Sequence, residues 1–522
     1  MTTDKAQIGK DVLESLTLGM YEDSRFIFRE FIQNSADSVD KAIKSGLLKQ
    51  GEEEIHVWID DVERRITIED NACGISKDDV VKRLRDIAHS DKTRGEQKGF
   101  RGIGRLGGLG YCSKLIFETS FYGEPVKSTM TWDADLFKLI INNRDVQEEA
   151  VDVINKVTHT VQEKEAPNEH YFKVVLEDVT SDDLLNEENV SEYLSMVSPV
   201  DIASKFIYRS KIKNFMRENG ITVDTYNIYI NGEQIYKPYT TSIYEDNNGG
   251  KKKVDDILGV DFLLQKDEND NIIYWGWYSL SRLNGQMKPI NLARGIRLRK
   301  ENIQIGDEEI CKKFFTKTED QRFSFYYFGE IHAVSKALIP NSRRDYFDEG
   351  KECTTFESLI KKDFLALKEI CYDAQKVRTS LKTIAKKDEL AQKKAVKDKQ
   401  GYTSKQEKEE LERQLKEHQT KAEQAQKQLA KVQTKIEENN SPLKGILEKM
   451  QPETKKVEYT LVPAKTVLVQ KTKFRTDNPI YSRYSKQERK LIGRIYAAIT
   501  NAIPDEKQRE ALISKIEEDI TK

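Results

Sequence analysis

The chain has 522 residues, of which 33% are charged, and its 86 Lys and Arg nearly balance its 88 Asp and Glu. This balance does not favour a nucleic-acid or membrane partner, and no stretch reaches the roughly 20 apolar residues of a membrane span. The five cysteines are scattered without a CxxC pair and the N-terminus lacks an apolar signal-peptide core, so we expect no disulfides, no zinc site and a cytoplasmic location.

Residues 1–185 are predicted to mix helices and strands. Helical patterns cover 10–21 and 23–43, two strands follow at "EIHVWID" and "RITIED", and a further helix is predicted at 77–87. A glycine-rich stretch then leads into the strand "KLIFETSF", and another strand begins at Tyr171. Runs of strands with helices between them indicate an α+β sandwich rather than regular βαβ alternation.

Residues 186–352 are predicted to form a second α+β unit. It opens with a hairpin, "TYNIYINGEQIY", in which Asn231 and Gly232 give a strong two-residue turn signal. Three further segments, "IIYWGWYSL", "GIRLRKENIQI" and "FSFYYFGEIHAV", are predicted strands, and the unit ends with "ALIPNSRRDYF".

Residues 353–440 are predicted to be helical and highly charged. A heptad seam runs through the second half of this segment, because apolar and small residues alternate there in steps of four and three between charged neighbours. The pattern predicts a coiled coil, and a single solvated helix is the alternative. The seam consists of Leu411, Leu415, His418, Ala422, Ala425, Leu429, Val432 and Ile436.

Residues 441–522 are predicted to form a small C-terminal module that ends in helices. Within it, the stretch 455–494 carries eleven Lys and Arg against three acids, with aromatic residues between them. Basic and aromatic residues mixed in this way can bind DNA or RNA. A solvated basic surface is the simpler interpretation, and we favour it.

The helix predicted at 23–43 carries three polar side chains on one side. Glu30, Asn34 and Asp37 are spaced i, i+4 and i+7, so they project from one face, opposite an apolar stripe. Asn and Asp are poor helix formers. Taken alone, the pattern indicates an ordinary solvated face, and only neighbouring motifs can reverse that interpretation.

A strand end and a glycine-rich stretch supply those neighbours. Asp70 ends the strand "RITIED", where a carboxylate can accept a hydrogen bond from an exocyclic amine such as that of adenine. Gly74 follows, where backbone could approach a flat ring, although a simple Asp-Asn turn is the alternative. Seven glycines then fall within residues 95–110, and their amides, with the charges of Lys98 and Arg105, could cradle phosphates.

Together these motifs resemble the GHKL ATPases, the superfamily of Hsp90, DNA gyrase B, MutL and histidine kinases. The nearest resemblance is to Hsp90, through "LTLGMYEDSRFIFREFIQNSADSVDKA", "DNACGISKDDVVKRLRDIAHS" and "IGRLGGLGYCSKLIFET". It covers about residues 8–120 and continues more weakly to about 350. The G-x-G-x-x-G match at 102–107 is not a dinucleotide-binding fingerprint, because no apolar strand precedes it.

The resemblance implies an α+β chain of four parts. Residues 1–185 would be a Bergerat-type ATP-binding α/β sandwich, and 186–352 a transducer or middle domain. Residues 353–440 would be a helical and coiled-coil segment, and 441–522 a small basic and helical module. The implied ligands are ATP and Mg²⁺.

The resemblance also implies roles for single residues. Glu30 would be the general base that polarises the attacking water, Asn34 the Mg²⁺ ligand, and Asp37 a contact to nucleotide through water. Asp70 would accept the adenine amine, with Gly74 beneath the ring. The other nucleotide-binding positions would be Ser90, Lys98, Gly99, Gly102, Gly104 and Gly107.

A catalytic arginine is implied in the second unit. The segment "LIPNSRRDYF" resembles the L-P-L-N-x-S-R-E segment of the Hsp90 middle domain, with Asn341 and Arg344 at the matching spacing. We take Arg344 as the γ-phosphate sensor and Arg343 as the alternative. An arginine pair on the surface is the interpretation without a catalytic role.

Four positions depart from the Hsp90 pattern. Ala72 replaces the first glycine of D-x-G-x-G, which is a mild change if its φ is negative. His89 and Arg83 stand where Hsp90 usually has Lys and Asn. Phe172 stands about where a Thr is expected, so one adenine-side hydrogen bond is not accounted for. The base and the Mg²⁺ ligand are kept, and we expect hydrolysis.

We therefore expect a slow ATPase that forms a homodimer at its C-terminal end and drives a clamp cycle on protein clients. One alternative is a clamp on nucleic acid, similar to MORC or MutL, acting through 455–494 with genome defence as a candidate process. Another is a coiled-coil scaffold that uses nucleotide only as a switch. The dimer and the clamp cycle are implied by the resemblance, whereas the residues themselves support only the coil.

Overall fold

The protein is known from a computed structural model, and its chain divides into two compact units, Met1–Pro452 and Glu453–Lys522. None of the helices that the structure describes combines the length and the apolar composition needed to cross a bilayer. The described residues are 8–17, 23–87, 104–145, 147–247, 249–450, 481, 484, 485, 488, 489, 491–493, 495, 496, 499 and 506–521.

An eight-stranded sheet forms the centre of the first half of the larger unit. Its order is β5-β4-β3-β6-β2-β1-β7-β8, and neighbouring strands are antiparallel except for the parallel pair β1 and β7. Strands with alternating burial, such as β1, turn one face to the core and one to solvent. The strands are β1 (Ile55–Asp60), β2 (Arg65–Asp70), β3 (Lys114–Ser120), β4 (Val126–Asp133), β5 (Thr158–Lys164), β6 (Tyr171–Glu177), β7 (Ile228–Ile230) and β8 (Glu233–Gln234).

Helices cover the apolar face of this sheet. The longest, α2, buries Phe28, Phe31 and Val39 in one core with Ile66 and Ile68 of the sheet. Each buried side chain of this size contributes about 1.5–3 kcal/mol, which fixes the helix on the sheet. The helices are α1 (Asp11–Thr17), α2 (Phe26–Lys44), α3 (Val80–Leu84), α4 (Ala134–Asn142), α5 (Ala150–Val157), α6 (Asp182–Leu185) and α7 (Glu187–Val197).

The predicted hairpin at Asn231 and Gly232 is present, with both residues at positive φ (45° and 86°). It does not join the second sheet, however. Because β7 pairs in parallel with β1, the hairpin extends the first sheet to Gln234, well past the boundary expected at residue 185. A short strand carries no sequence signal for a parallel partner so distant in the chain.

A second, five-stranded sheet follows, in the order β11-β12-β15-β13-β14, beside a two-stranded ribbon of β9 and β10. A helix, α8 (Arg209–Glu218), precedes it. The strands are β9 (Ser242–Asn247), β10 (Gly250–Asp256), β11 (Gly259–Lys266), β12 (Ile272–Leu280), β13 (Gly295–Lys300), β14 (Ile303–Ile305) and β15 (Phe328–Ala333).

One predicted strand is only half correct. The segment "FSFYYFGEIHAV" forms a strand from Phe328, but its first aromatic residues belong to the 3₁₀ helix Thr318–Tyr326. Phe323 there packs edge-on against Tyr326 and Tyr372. A short apolar run fits a buried helix turn as well as a strand, so periodicity could not separate them.

A helical hairpin follows the second sheet. It consists of α9 (Lys351–Gln400) and α10 (Lys405–Glu438). Ion pairs from Lys394 to Glu412 and from Lys435 to Asp373 show that the helices run antiparallel. The predicted seam is buried against α9 at Leu411, Ala422, Ala425, Val432 and Ile436.

The coil is therefore formed within one chain. Its apolar stripe is already covered, so the seam does not supply a face for a second copy. The α+β class and the helical segment predicted from sequence are confirmed. In the smaller unit the structure describes α11 (Glu506–Thr521), with Tyr481 and Tyr496 buried, while most of 455–494 lies outside the described residues.

Candidate functional site

The polar side of α2 is covered rather than solvated. On this side Gln33 and Asp37 are buried, and Glu30 and Asn34 are half-buried. Polar side chains cost free energy when buried unless they find partners, so this face is built to meet other polar groups. Taken alone, periodicity had indicated the opposite for Glu30, Asn34 and Asp37.

Asp70 ends β2 opposite this helix and is 1% exposed. Its Oδ1 accepts a hydrogen bond from the amide of Ala72 at 3.2 Å, and Ser35 donates to the same carboxyl group. Oδ2 is buried and has no partner among the described residues. Burial raises the pKa of Asp70 to about 7, against the lowering effect of both hydrogen bonds. A buried acceptor left open in this way suits a ligand donor such as an amino group.

Gly74 is required by the way the following loop meets the sheet. Its φ is +68°, and a Cβ there would lie 1.9 Å from the carbonyl oxygen of Ser120. Thr119 holds the same loop, accepting from the amide of Ile75 at 2.8 Å and donating to the carbonyl of Tyr171 at 2.9 Å. This close approach gives a structural reason for the glycine beside the nucleotide-contact role expected from the resemblance.

Glu30 lies directly against the start of the glycine-rich 3₁₀ helix Gly104–Gly110. A Cβ on Gly104 would be 2.0 Å from Glu30 Oε2, so only a glycine lets the backbone come this close. Gly107 is buried inside the same helix. Gly104 thus packs against the site through its backbone, whereas Gly107 is buried one turn further on.

The second half of the larger unit brings Arg344 to this carboxylate. Arg344 Nε lies 3.7 Å from Glu30 Oε1, and the arginine is 8% exposed. Its φ of +55° is a left-handed conformation that costs energy in a residue with a side chain. Burial lowers the pKa of Arg344, and Glu30 partly offsets that effect. Arg343, the alternative, is exposed.

Two other arginines of the expected phosphate region pair with neighbouring groups of the protein. Arg105, expected to add charge near phosphates, is half-buried and donates to the carbonyl oxygens of Asp86 (2.6 Å) and Leu84 (3.5 Å). Arg83 on α3 lies 3.7 Å from Asp79. Four predicted nucleotide-binding residues and one departure lie outside the described residues: Ser90, Lys98, Gly99, Gly102 and His89.

The structure shows the setting of two positions that depart from the Hsp90 pattern, Ala72 and Phe172. It also adds site residues that the sequence did not single out. Ala72 is not among the residues with positive φ, so its side chain costs no strain. Phe172 on β6 is paired with Asp70 on β2 on one side and with Thr119 on β3 on the other. Ser35 and Thr119 hold the site but were missed. A serine inside the apolar stripe of α2 was the available signal, whereas Thr119 required the strand pairing.

A buried carboxyl at a strand end, bonded to a serine of a long helix whose glutamate packs against a glycine-rich segment, fits one class: a GHKL-type ATPase domain. Residues 22–165 match the family model described as "Histidine kinase-, DNA gyrase B-, and HSP90-like ATPase". The resemblance seen in the sequence is thereby confirmed for this domain.

Within that class, the chain is similar to proteins described as "Chaperone protein HtpG", from Burkholderia ambifaria, Burkholderia cenocepacia and Burkholderia lata. Each is 28% identical over 143 residues, which cover 24% of this chain and 23% of the relative. The chain thus spans about a quarter of the length of these relatives, and the likeness makes its ATPase domain Hsp90-like.

Proposed function

We propose that this chain hydrolyses ATP slowly, with Glu30 as the general base and Arg344 as the γ-phosphate sensor. The observation that carries the proposal is the buried approach of Arg344 Nε to Glu30 Oε1, 3.7 Å apart, from segments far apart in the chain. A low-dielectric site strengthens the action of such side chains on a developing phosphoryl charge. Arg343 is the weaker candidate because it is exposed.

Nucleotide binding rests on Asp70 and the polar side of α2. The open Oδ2 of Asp70 suits the adenine amine. Asn34 lies one helical turn beyond Glu30, where its amide oxygen could bind a Mg²⁺ ion carried by the phosphates. The described residues hold no group of three or more His, Cys, Asp or Glu side chains placed for a metal. This suits Mg²⁺, which is usually bound through few protein ligands plus phosphate and water.

Catalysis would then depend mainly on positioning and charge. Glu30 accepts a proton from the attacking water, while Arg344 lies beside one oxygen of its carboxylate and the backbone of Gly104 packs against the other. Arg344 compensates negative charge on the transferred phosphoryl group. Because Arg344 comes from the second half of this unit, the pair of base and arginine is complete only when the two halves are docked.

For the biological role, we propose a clamp cycle of a homodimer that acts on protein clients. Its support is the Hsp90-like ATPase domain and the description of its relatives as chaperones. Because the seam of α10 packs on α9, we propose that the homodimer forms through another surface. A clamp on nucleic acid through 455–494 and a nucleotide-switched scaffold are the alternatives that the experiment must separate.

The test is ATP turnover by wild-type protein and by Glu30→Ala, each with and without duplex DNA. We expect the substitution to lower kcat by about a hundredfold or more, because a positioned base contributes at least that factor. Glu63→Ala, which changes an exposed carboxylate, is the matched control. Equal turnover by wild type and Glu30→Ala would contradict the catalytic assignment and support the scaffold.

The same preparations separate the two clamp hypotheses. Suppression of client aggregation without DNA binding would support the chaperone role. Salt-dependent DNA binding that stimulates turnover would support the nucleic-acid clamp instead, because phosphate contacts release counterions.

A further inference from the structure

Arg29, the residue before Glu30, is a buried cation that contacts the second half of the unit. It is 5% exposed, and its guanidinium stacks over the ring of Phe26 at 3.7 Å. Nη1 donates to the carbonyl of Gln304 at 3.5 Å, and Nη2 donates to the carbonyl of Arg343 at 3.3 Å. A buried arginine is retained only where its charge and donors are used.

The two acceptors lie on different segments of the second half. Gln304 is in β14, and Arg343 belongs to the turn that presents Arg344. One guanidinium therefore ties α2 to a strand and to a turn at the same time. The planar fork of arginine can reach two acceptors in this way, whereas the single ammonium of lysine cannot keep the same geometry.

The bond to Arg343 fixes the peptide that leads into Arg344. The carbonyl of that peptide accepts from Arg29, and its amide, on Arg344, donates to the carbonyl of Asn341 at 3.1 Å. The carbonyl of Arg344 in turn accepts from the amide of Gly306 at 2.8 Å. Since Arg344 has a left-handed φ of +55°, its conformation depends on such restraints.

We infer that Arg29 is a positioning residue: it docks the turn 341–346 on α2 and thereby holds Arg344 opposite Glu30. The contact between Arg29 and Arg343 thus fixes the positions of their sequence neighbours, the base Glu30 and the arginine Arg344. The inference that this docking sustains turnover rests on the proposed function. The docking itself is a property of the nucleotide-free protein and is tested separately.

The first experiment uses the full chain with Arg29→Lys, and Arg25→Lys as the matched control. Arg25 precedes α2 and pairs with Asp23 at the surface. We expect Arg29→Lys to lower kcat by about tenfold or more, since a misplaced group costs this much, without changing ADP affinity. In an Arg344→Ala background the same substitution should cause no further loss.

A loss that persists in the Arg344→Ala background, or an equal loss of ADP affinity, would overturn the inference, because Arg29 would then act on the fold or the nucleotide pocket. Unchanged turnover in Arg29→Lys would overturn it as well. If Arg29→Lys fails to fold, Arg29→Gln, which keeps an amide donor, replaces it in both measurements.

The second experiment is hydrogen exchange without nucleotide, so it decides the docking even if the wild-type protein does not hydrolyse ATP. Arg29→Lys should speed exchange in peptides that cover Gly306 and 341–346, while Arg25→Lys should not. Unchanged exchange there would refute the docking. Faster exchange in a protein without turnover would leave the docking supported and the proposed function contradicted.

Discussion

At Asp70, burial and hydrogen bonding act on the pKa in opposite directions. Burial raises it, the bonds from Ser35 and Ala72 lower it, and the outcome is a pKa of about 7. In the nucleotide-free protein this carboxyl is therefore largely protonated below neutral pH. A donor such as the adenine amine favours the ionised form, so binding should release a proton.

We expect nucleotide affinity to weaken as the pH falls below about 7 and to level off above it, because Asp70 must lose its proton to bind. Calorimetry of ADP binding at pH 6.5 in two buffers of different ionisation enthalpy measures the proton released. Asp70→Asn should abolish binding, and Asp61→Asn, in an exposed turn, should not. Affinity that is independent of pH between 5.5 and 8 would count against Asp70 as the amine acceptor.

Two glycines of the site should respond differently to alanine. In Gly104→Ala the new Cβ meets the end of the Glu30 side chain, 2.0 Å away, and a side chain can change rotamer, so the fold should persist while kcat falls at least about tenfold. In Gly74→Ala it meets the Ser120 carbonyl at 1.9 Å and a φ of +68°, which should cost about 2–4 kcal/mol of stability. Denaturant unfolding and ATP turnover are measured on both variants. Equal losses of stability and of kcat in the two variants would contradict this prediction.

Among the elements, α9 and α10 show what a heptad pattern can predict and what it cannot. The heptad spacing correctly predicted a helix with an apolar stripe, because such a stripe must be covered. It could not say that α9 covers it, since a seam describes one surface and not its partner. The same limit applies to β7, whose parallel pairing with β1 left no local mark, and to the aromatic run at Phe323, where helix and strand bury equally well.

A charge in this seam should loosen the hairpin without changing the oligomeric state. Ala425 is 7% exposed, so Ala425→Glu buries a carboxylate against α9 and should cost about 2–4 kcal/mol of unfolding free energy. Lys427→Glu, two residues on and exposed, is the control. Light scattering and thermal unfolding decide the case: conversion of a dimer to monomers by Ala425→Glu would mean that the seam joins two chains.

Across the larger unit as a whole, one buried cluster joins the two sheets. Glu330 of β15 lies 2.8 Å from Lys237, which follows β8, and 2.6 Å from Arg299, which also donates to Met196 of α7. Burial acts to raise the pKa of Glu330, but Arg299 and Lys237 outweigh it and keep it well below its usual range. Burial lowers the pKa of the neighbouring His332 to about 4, so this histidine is neutral.

Glu330→Gln should therefore destabilise the unit by about 3–5 kcal/mol, because it leaves the buried guanidinium of Arg299 without its counter-charge. Asp182→Asn, which removes the exposed partner of Arg64, should cost under about 1 kcal/mol. The stabilisation from a carboxyl of lowered pKa is complete above its usual value near 4.5 and is lost at acid pH. Chemical unfolding of both variants at pH 7 tests the predicted costs, and equal stability of the two variants would refute them. Unfolding of the wild-type protein at pH 7 and at acid pH tests the loss of stabilisation.

The positions of the motif residues in the fold could be predicted from the sequence because each belongs to a short local pattern, as with Glu30 in its helix and Asp70 at its strand end. The contacts between distant segments could not. Nothing local in the sequence pairs Arg29 with the carbonyl of Arg343, or Lys237 with Glu330, because a backbone acceptor has no sequence signature and a buried ion pair is fixed by the packing of both sheets.

The pairing of β1 with β7 has a consequence for how the protein is made. Residues 55–60 leave the ribosome long before residues 228–230, which pair with them. At about 5–20 residues per second, translation leaves that edge of β1 open for on the order of ten seconds or more. An open strand edge can recruit other nascent chains, and the ATPase sheet is closed on this side only after synthesis has passed Gln234.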